Sequence, residues 1–164
     1  MKKTILLVFI LTALTSISHA QNGAKQAFNK TLIAYFNAKN TLSKDKIAAA
    51  DAASILENIN SFPIKELTPA QKVLWAAQTA EIKKAAQPMV GEKDIKVQRK
   101  QFETISYAMI KLVNGLKMNN NKIYLQHCPM ARASWLNEVE DIQNPYYGSM
   151  MFDCGDVKET IAKN

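Results

Sequence analysis

The sequence predicts an all-α protein, an antiparallel four-helix bundle followed by an irregular C-terminal segment. Three observations predict it. Gly and Pro are sparse over the first three quarters, where Ala, Lys, Gln, Leu and Ile dominate. Apolar residues recur there at helical spacing. Start and stop signals punctuate the chain at short intervals, so neighbouring helices run antiparallel. No internal repeat, low-complexity tract or linker divides it. The expected organisation is an export signal over 1–20 and one helical domain over 21–164. That domain comprises a bundle over 21–122 and a motif-bearing segment over 123–164.

The first helix is expected from Ala24 to Lys39, with Phe28, Leu32, Tyr35 and Phe36 as its apolar stripe. Ser43 is the expected cap of a second helix, with Ile47, Ala50, Leu56 and Ile59 inward, and Phe62-Pro63 stops it. Thr68-Pro69 is a strong third start, a capping hydroxyl before a proline at the first helical position. Val73, Leu74, Ala77 and Ile82 follow, and Pro88 ends that run. Asp94 caps the fourth helix, whose face is Ile105, Ala108, Met109, Leu112 and Leu116. Asn119-Asn120-Asn121 ends it. Beyond it, Ile123-Tyr124-Leu125 is short and β-prone. Ala133 to Ile142 reads as one short helix, Asn144 to Gly148 as a turn, and Val157 to Ala162 as a final helical turn. Trp135 and the tyrosines are the expected packing anchors.

Met1-Lys2-Lys3, the apolar run Ile5 to Leu14 and Ser18-His19-Ala20 form a positive, apolar and small-residue order. It predicts an export signal cleaved after Ala20, with no membrane insertion of the mature chain. The expected location is periplasmic or secreted, an oxidising setting in which a disulfide persists. Without Lys2 and Lys3 the formal charge falls from +7 to +5. Lysines are scattered along helical stretches with no aromatic interleaving, a solvated surface rather than a nucleic-acid face.

Both cysteines, three of seven methionines and one of two histidines lie in His127-Cys128-Pro129-Met130 and Met150-Met151-Phe152-Asp153-Cys154-Gly155. Thiolate, thioether and imidazole are soft-metal ligands, and Cu(I) prefers them most. Cys128 precedes a proline and is pushed toward an extended backbone, where Cys128 and Met130 share a face and His127 opposes them. Cys154 shares a face with Met151 if its segment is helical and with Met150 if it is extended. The candidate ligands are Cys128, Met130, Cys154 and one of Met150 or Met151, with His127 kept as a further candidate. The same two cysteines can instead close a disulfide.

Gln98-Arg99, Phe102 and Ser106 are followed by Tyr124, Cys128-Pro129-Met130-Ala131, Trp135-Leu136, Asn144-Pro145-Tyr146-Tyr147-Gly148, Met151 and Cys154-Gly155. In these residues the chain resembles the domain-of-unknown-function family 3347 of exported Bacteroidota proteins. That family also occurs joined to periplasmic adaptor (CusB-type) subunits of copper/silver efflux systems. Its loop before the tryptophan is usually longer and Asn/Gly-rich, whereas Arg132-Ala133-Ser134 suffices here. Its motif methionine aligns with Met151, which favours that residue over Met150. The resemblance implies copper or silver handling and an efflux adaptor or another periplasmic protein as partner.

Two functions of different class follow. One is a periplasmic binding protein that buffers or hands over Cu(I) or Ag(I). The other is a helical interaction module stapled by Cys128 and Cys154, without metal. Metal binding leads, because a disulfide alone gives no reason for methionines beside both cysteines. Zinc is disfavoured, since no Cys-x-x-Cys pair or second mature-chain histidine is present. An enzyme is not expected: no Ser-His-Asp order, paired catalytic carboxylates or Gly-rich phosphate loop occurs.

Overall fold

Four helices come first in the chain and a small antiparallel sheet closes it, so the protein is mixed α and β rather than all-α. The computed structural model describes residues 2–164, with side chains from Asn22 onward. The expected export signal, residues 1–20, lies outside the residues whose side chains are described. The helices are α1 (Lys2–Ser43), α2 (Ala49–Asn60), α3 (Pro69–Met89) and α4 (Ile95–Leu116). Consecutive helices pack on one another. Among the described residues no helix is long and apolar enough to cross a membrane.

The strongest local signals act where the sequence places them. Thr68 accepts the Gln71 N–H, and the Gln71 side chain reaches back to the Thr68 N–H, a complete capping box with Pro69 next in line. Asp94 Oδ1 accepts the Lys96 N–H at 2.8 Å and starts α4. Each cap satisfies amide groups that the first helical turn leaves unpaired.

Ser43 does not cap α2. It is the last residue of α1, and its hydroxyl donates back to Asn40 O. Asp45, at φ 57°, then turns the chain, and α2 begins after Ala48. The Ala48 N–H is taken by Gln98 Oε1 at 2.8 Å, so a side chain fifty residues away replaces the local cap. The inward face of α2 is accordingly Ala52, Ile55 and Ile59, while Ile47 stands outside the helix and is 42% exposed. In α3 the buried stripe is Trp75, Thr79, Ile82, Ala86 and Met89, and Val73 points to solvent. Pro88 sits inside the last turn rather than stopping it.

The core joins all four helices. Of the residues expected inside, Leu32, Ile105, Met109 and Leu112 are buried, and Phe36, Leu56 and Leu74 pack half-buried against them. Tyr35 stacks on Phe102 at 5.1 Å and Phe62 on Trp75 at 3.8 Å. Such aromatic pairs contribute roughly 0.5–1.5 kcal/mol beyond area burial.

The C-terminal segment departs most from expectation. The helix expected over Ala133 to Ile142 is a strand to Asn137 and irregular beyond it, and the helical turn expected over Val157 to Ala162 is a strand. The sheet comprises β1 (Ile123–Cys128), β2 (Ala133–Asn137) and β3 (Asp156–Ile161), in spatial order β2-β1-β3. Leu125 pairs with Leu136 and Cys128 with Ala133, while His127 lies opposite Asp156 of β3. The physical reason is that helices this short are marginal alone. β1 offers unpaired N–H and C=O groups on both edges, and pairing satisfies them. The tight turn Pro129 to Arg132, with Arg132 at φ 52°, returns the chain onto β1. The expected turn at Asn144 to Gly148 is present and leads into a short 3-10 helix, Gly148–Met151.

Candidate thiol site

Cys128 is the last residue of β1 and is fully buried. Pro129 then leaves the strand, and the Ala131 N–H of the turn points back at the Cys128 sulfur at 3.4 Å. Cys154 comes from the opposite side of the site, on the turn that follows the 3-10 helix and precedes β3. Its own N–H is held by Met151 O at 3.2 Å. The two sulfurs lie 2.8 Å apart, and both are free thiols. The hydrogen bond with Cys128, helped by burial, raises the Cys154 pKa above the ordinary thiol value, against the pull of the Met130 backbone amide.

One buried side chain organises the loop that delivers Cys154. Asn144 Oδ1 accepts the Tyr146 N–H at 2.8 Å and the Tyr147 N–H at 3.3 Å. Its Nδ2 donates to Cys154 O, and its backbone N–H to Phe152 O. An asparagine side chain carries both donor and acceptor, so it can close a turn on one side and hold a strand of loop on the other.

The loop is also bolted to the helices. Arg99 of α4 donates from Nε to Pro145 O and from Nη2 to Leu42 O, each at 3.0 Å. It also pairs with Asp45 at 2.6 Å. Asp45 in turn accepts the Ser149 N–H at 3.0 Å. The Ser149 hydrogen bonds, then Arg99, hold the Asp45 carboxyl down to about 2. Phe102 and Trp135 flank Tyr146, whose hydroxyl donates to Ser134 O. Ser106 meets the Tyr35 hydroxyl at 2.9 Å, and that hydroxyl accepts the Leu136 N–H of β2. Gln98, Arg99, Phe102 and Ser106 are therefore side chains by which α4, beyond its apolar core face, holds the α1–α2 junction, the cysteine loop and the sheet.

The other expected ligands divide. Met130 stands in the β1–β2 turn and Met151 at the end of the 3-10 helix. The two short segments are linked where Tyr147 Oη donates to Met130 O at 3.4 Å. Met130 is 61% exposed, Met151 half-buried and Met150 79% exposed. His127 is next to Cys128 in a strand and faces the other way, with Nδ1 at 3.0 Å from Ser134 Oγ. Among the described residues no three His, Cys, Asp or Glu side chains cluster.

Asn144 stands in the expected turn without a stated role, and Asp45 and Lys39 are not among the residues the sequence singles out. Asn144 carries a signal, since Asn-Pro marks a turn. Asp45 and Lys39 look like ordinary solvated charges. In fact Lys39 is buried, donating to Asn137 Oδ1 and Gln143 Oε1 at 2.6 Å and lying 3.2 Å from Glu138.

This architecture defines a helical domain with an appended sheet that brings two thiols into contact. The chain belongs to the family described as Protein of unknown function (DUF3347), which matches residues 31–121, more than half of its length. The match covers most of the helical part, including Gln98 to Ser106, and ends before β1 and the cysteine motifs. No curated protein and no solved structure matches the chain.

Proposed function

We propose that the protein binds a soft monovalent ion, Cu(I) or Ag(I), and buffers it or hands it over without catalysing a reaction. The single observation that carries this reading is the contact of Cys128 and Cys154, one buried and one half-exposed, between two methionine-bearing turns. Two thiolates suit a soft ion of low coordination number, and a thioether from Met130 or Met151 completes the set. His127 drops out, because its ring faces Ser134 across the sheet. The sulfurs must separate to admit an ion. Cys154 is the less buried of the two and lies outside the strand pairing, so its side chain is the one that turns while its backbone stays held. Its raised pKa means that loading releases a proton, so binding weakens as pH falls.

The proposed compartment, periplasmic or outside the cell, rests on the Met1 to Ala20 pattern. An efflux adaptor as the recipient of the ion rests on the family resemblance. The second reading is the stapled interaction module. The 2.8 Å contact favours it, since oxidation needs only a short approach to a bond of about 2.05 Å. Closing that loop constrains the unfolded chain by roughly 3.5 kcal/mol in the entropy model.

Titration of the reduced protein with Cu(I) against a competing chelator decides between them. Wild type should compete and Cys128→Ser should lose high-affinity binding. Met151→Leu should weaken binding while changing packing by less than about 1.5 kcal/mol. Failure of the reduced wild type to compete sinks the copper reading. A drop in melting temperature of Cys128→Ser seen only under oxidising conditions favours the staple.

A further inference from the structure

The two ends of β1 carry different chemistry. Cys128 closes one end. At the other, Ile123 opens onto a cleft of about 430 Å³ between α1, the 119–122 loop and Glu138. Six residues of strand separate the two ends, roughly 17 Å, so the cleft is independent of the thiol pair.

The floor of this cleft is hydrocarbon. Ile33, 59% exposed, and half-buried Phe36 come from α1, and Ile123 comes from β1. Around it stand Asn37, Asn120 and Asn121, all exposed, whose side-chain amides pair with no described residue. The rim itself is held in place, because Asn29 of α1 accepts the Asn120 backbone N–H at 2.9 Å and donates to Met118 O at 2.7 Å. One cation, Lys122, and one carboxylate, Glu138, line the cleft, so it has no strong sign of charge.

We propose that this cleft binds a short extended peptide segment anchored by one bulky apolar side chain. The hydrocarbon floor takes the anchor, and the size suits a ligand of a few residues. A peptide backbone presents alternating N–H and C=O groups, and each asparagine amide both donates and accepts, so the rim matches the backbone on either side of the anchor. A phosphate or carboxylate ligand would ask for clustered cations.

The test is an NMR titration of the full-length 15N-labelled chain. The probes are acetyl-Ala-Leu-Ala-amide and acetyl-Ala-Phe-Ala-amide, with acetyl-Ala-Ser-Ala-amide and methyl glucoside as comparisons. The apolar peptides should shift the side-chain NH₂ signals of Asn37, Asn120 and Asn121 and the Ile33 amide. The serine peptide should bind about tenfold more weakly, as loss of an apolar anchor implies. Ile33→Asp should weaken the leucine peptide by a similar factor with the rest of the spectrum unchanged, because that side chain is already exposed. Absence of shifts with both apolar peptides, equal binding of the serine peptide, or tighter binding of methyl glucoside at the same signals each overturns the proposal.

Discussion

Replacing Gly148 by alanine tests how the cysteine loop is held. Gly148 sits at φ 57°, in the left-handed region. An L residue there costs about 1–2 kcal/mol of backbone energy. A Cβ at this position also meets the Asp45 carboxylate and the Arg99 guanidinium, which are themselves paired. Pushing them apart disturbs the Arg99 bonds to Pro145 O and Leu42 O, and overpacking of this kind costs roughly 1–3 kcal/mol. The total loss is about 2–5 kcal/mol, which lowers the melting temperature of a chain this size by roughly 6–15 °C. Thermal unfolding of the reduced protein followed by circular dichroism measures it. In an Asp45→Ala background the Asp45 share of the clash falls away and only Arg99 remains, so Gly148→Ala should then cost measurably less. A single variant that melts within about 2 °C of wild type, or equal losses in both backgrounds, refutes the reasoning.

Tyr35→Phe removes the acceptor for the buried Leu136 N–H and the partner of Ser106, and should cost about 1–3 kcal/mol in denaturant unfolding with the fold retained. Lys39 predicts an unusual pH response. Burial lowers its pKa to about 8, against the pull of Glu138. Between pH 8 and its ordinary value the unfolded chain holds more protons on this residue, so its contribution to stability rises with pH in that window. Tyr35 and Tyr146, raised by burial, oppose this only above the ordinary tyrosine value. Melting temperatures from pH 7 to 10 should therefore show a rising component that Lys39→Met removes, and identical profiles would refute it.

Some of this protein is legible one segment at a time. Thr68-Pro69 and Asp94 start helices because a cap satisfies amides within three residues, and nothing distant can supply them better. The face of α4 is read correctly for the same reason, since one helix periodicity runs unbroken through it. The meeting of Cys128 and Cys154 was also expected, because both readings of the motifs required it.

What tertiary structure alone decided is whatever depends on a partner far along the chain. Ser43 looks like a cap, but Gln98 takes the Ala48 N–H instead. The segments expected as helix from Ala133 and from Val157 have adequate local helix character, yet Ala133–Asn137 and Asp156–Ile161 flank β1, and ladder hydrogen bonds outweigh a propensity worth tenths of a kcal/mol per residue. Asp45 and Lys39 carry no local mark of their roles, because a charge becomes a bolt only when folding sets Arg99 or Asn137 beside it. Periodicity and capping are properties of neighbours in sequence. Strand pairing and buried polar bonds are properties of neighbours in space, and only the folded chain brings those together.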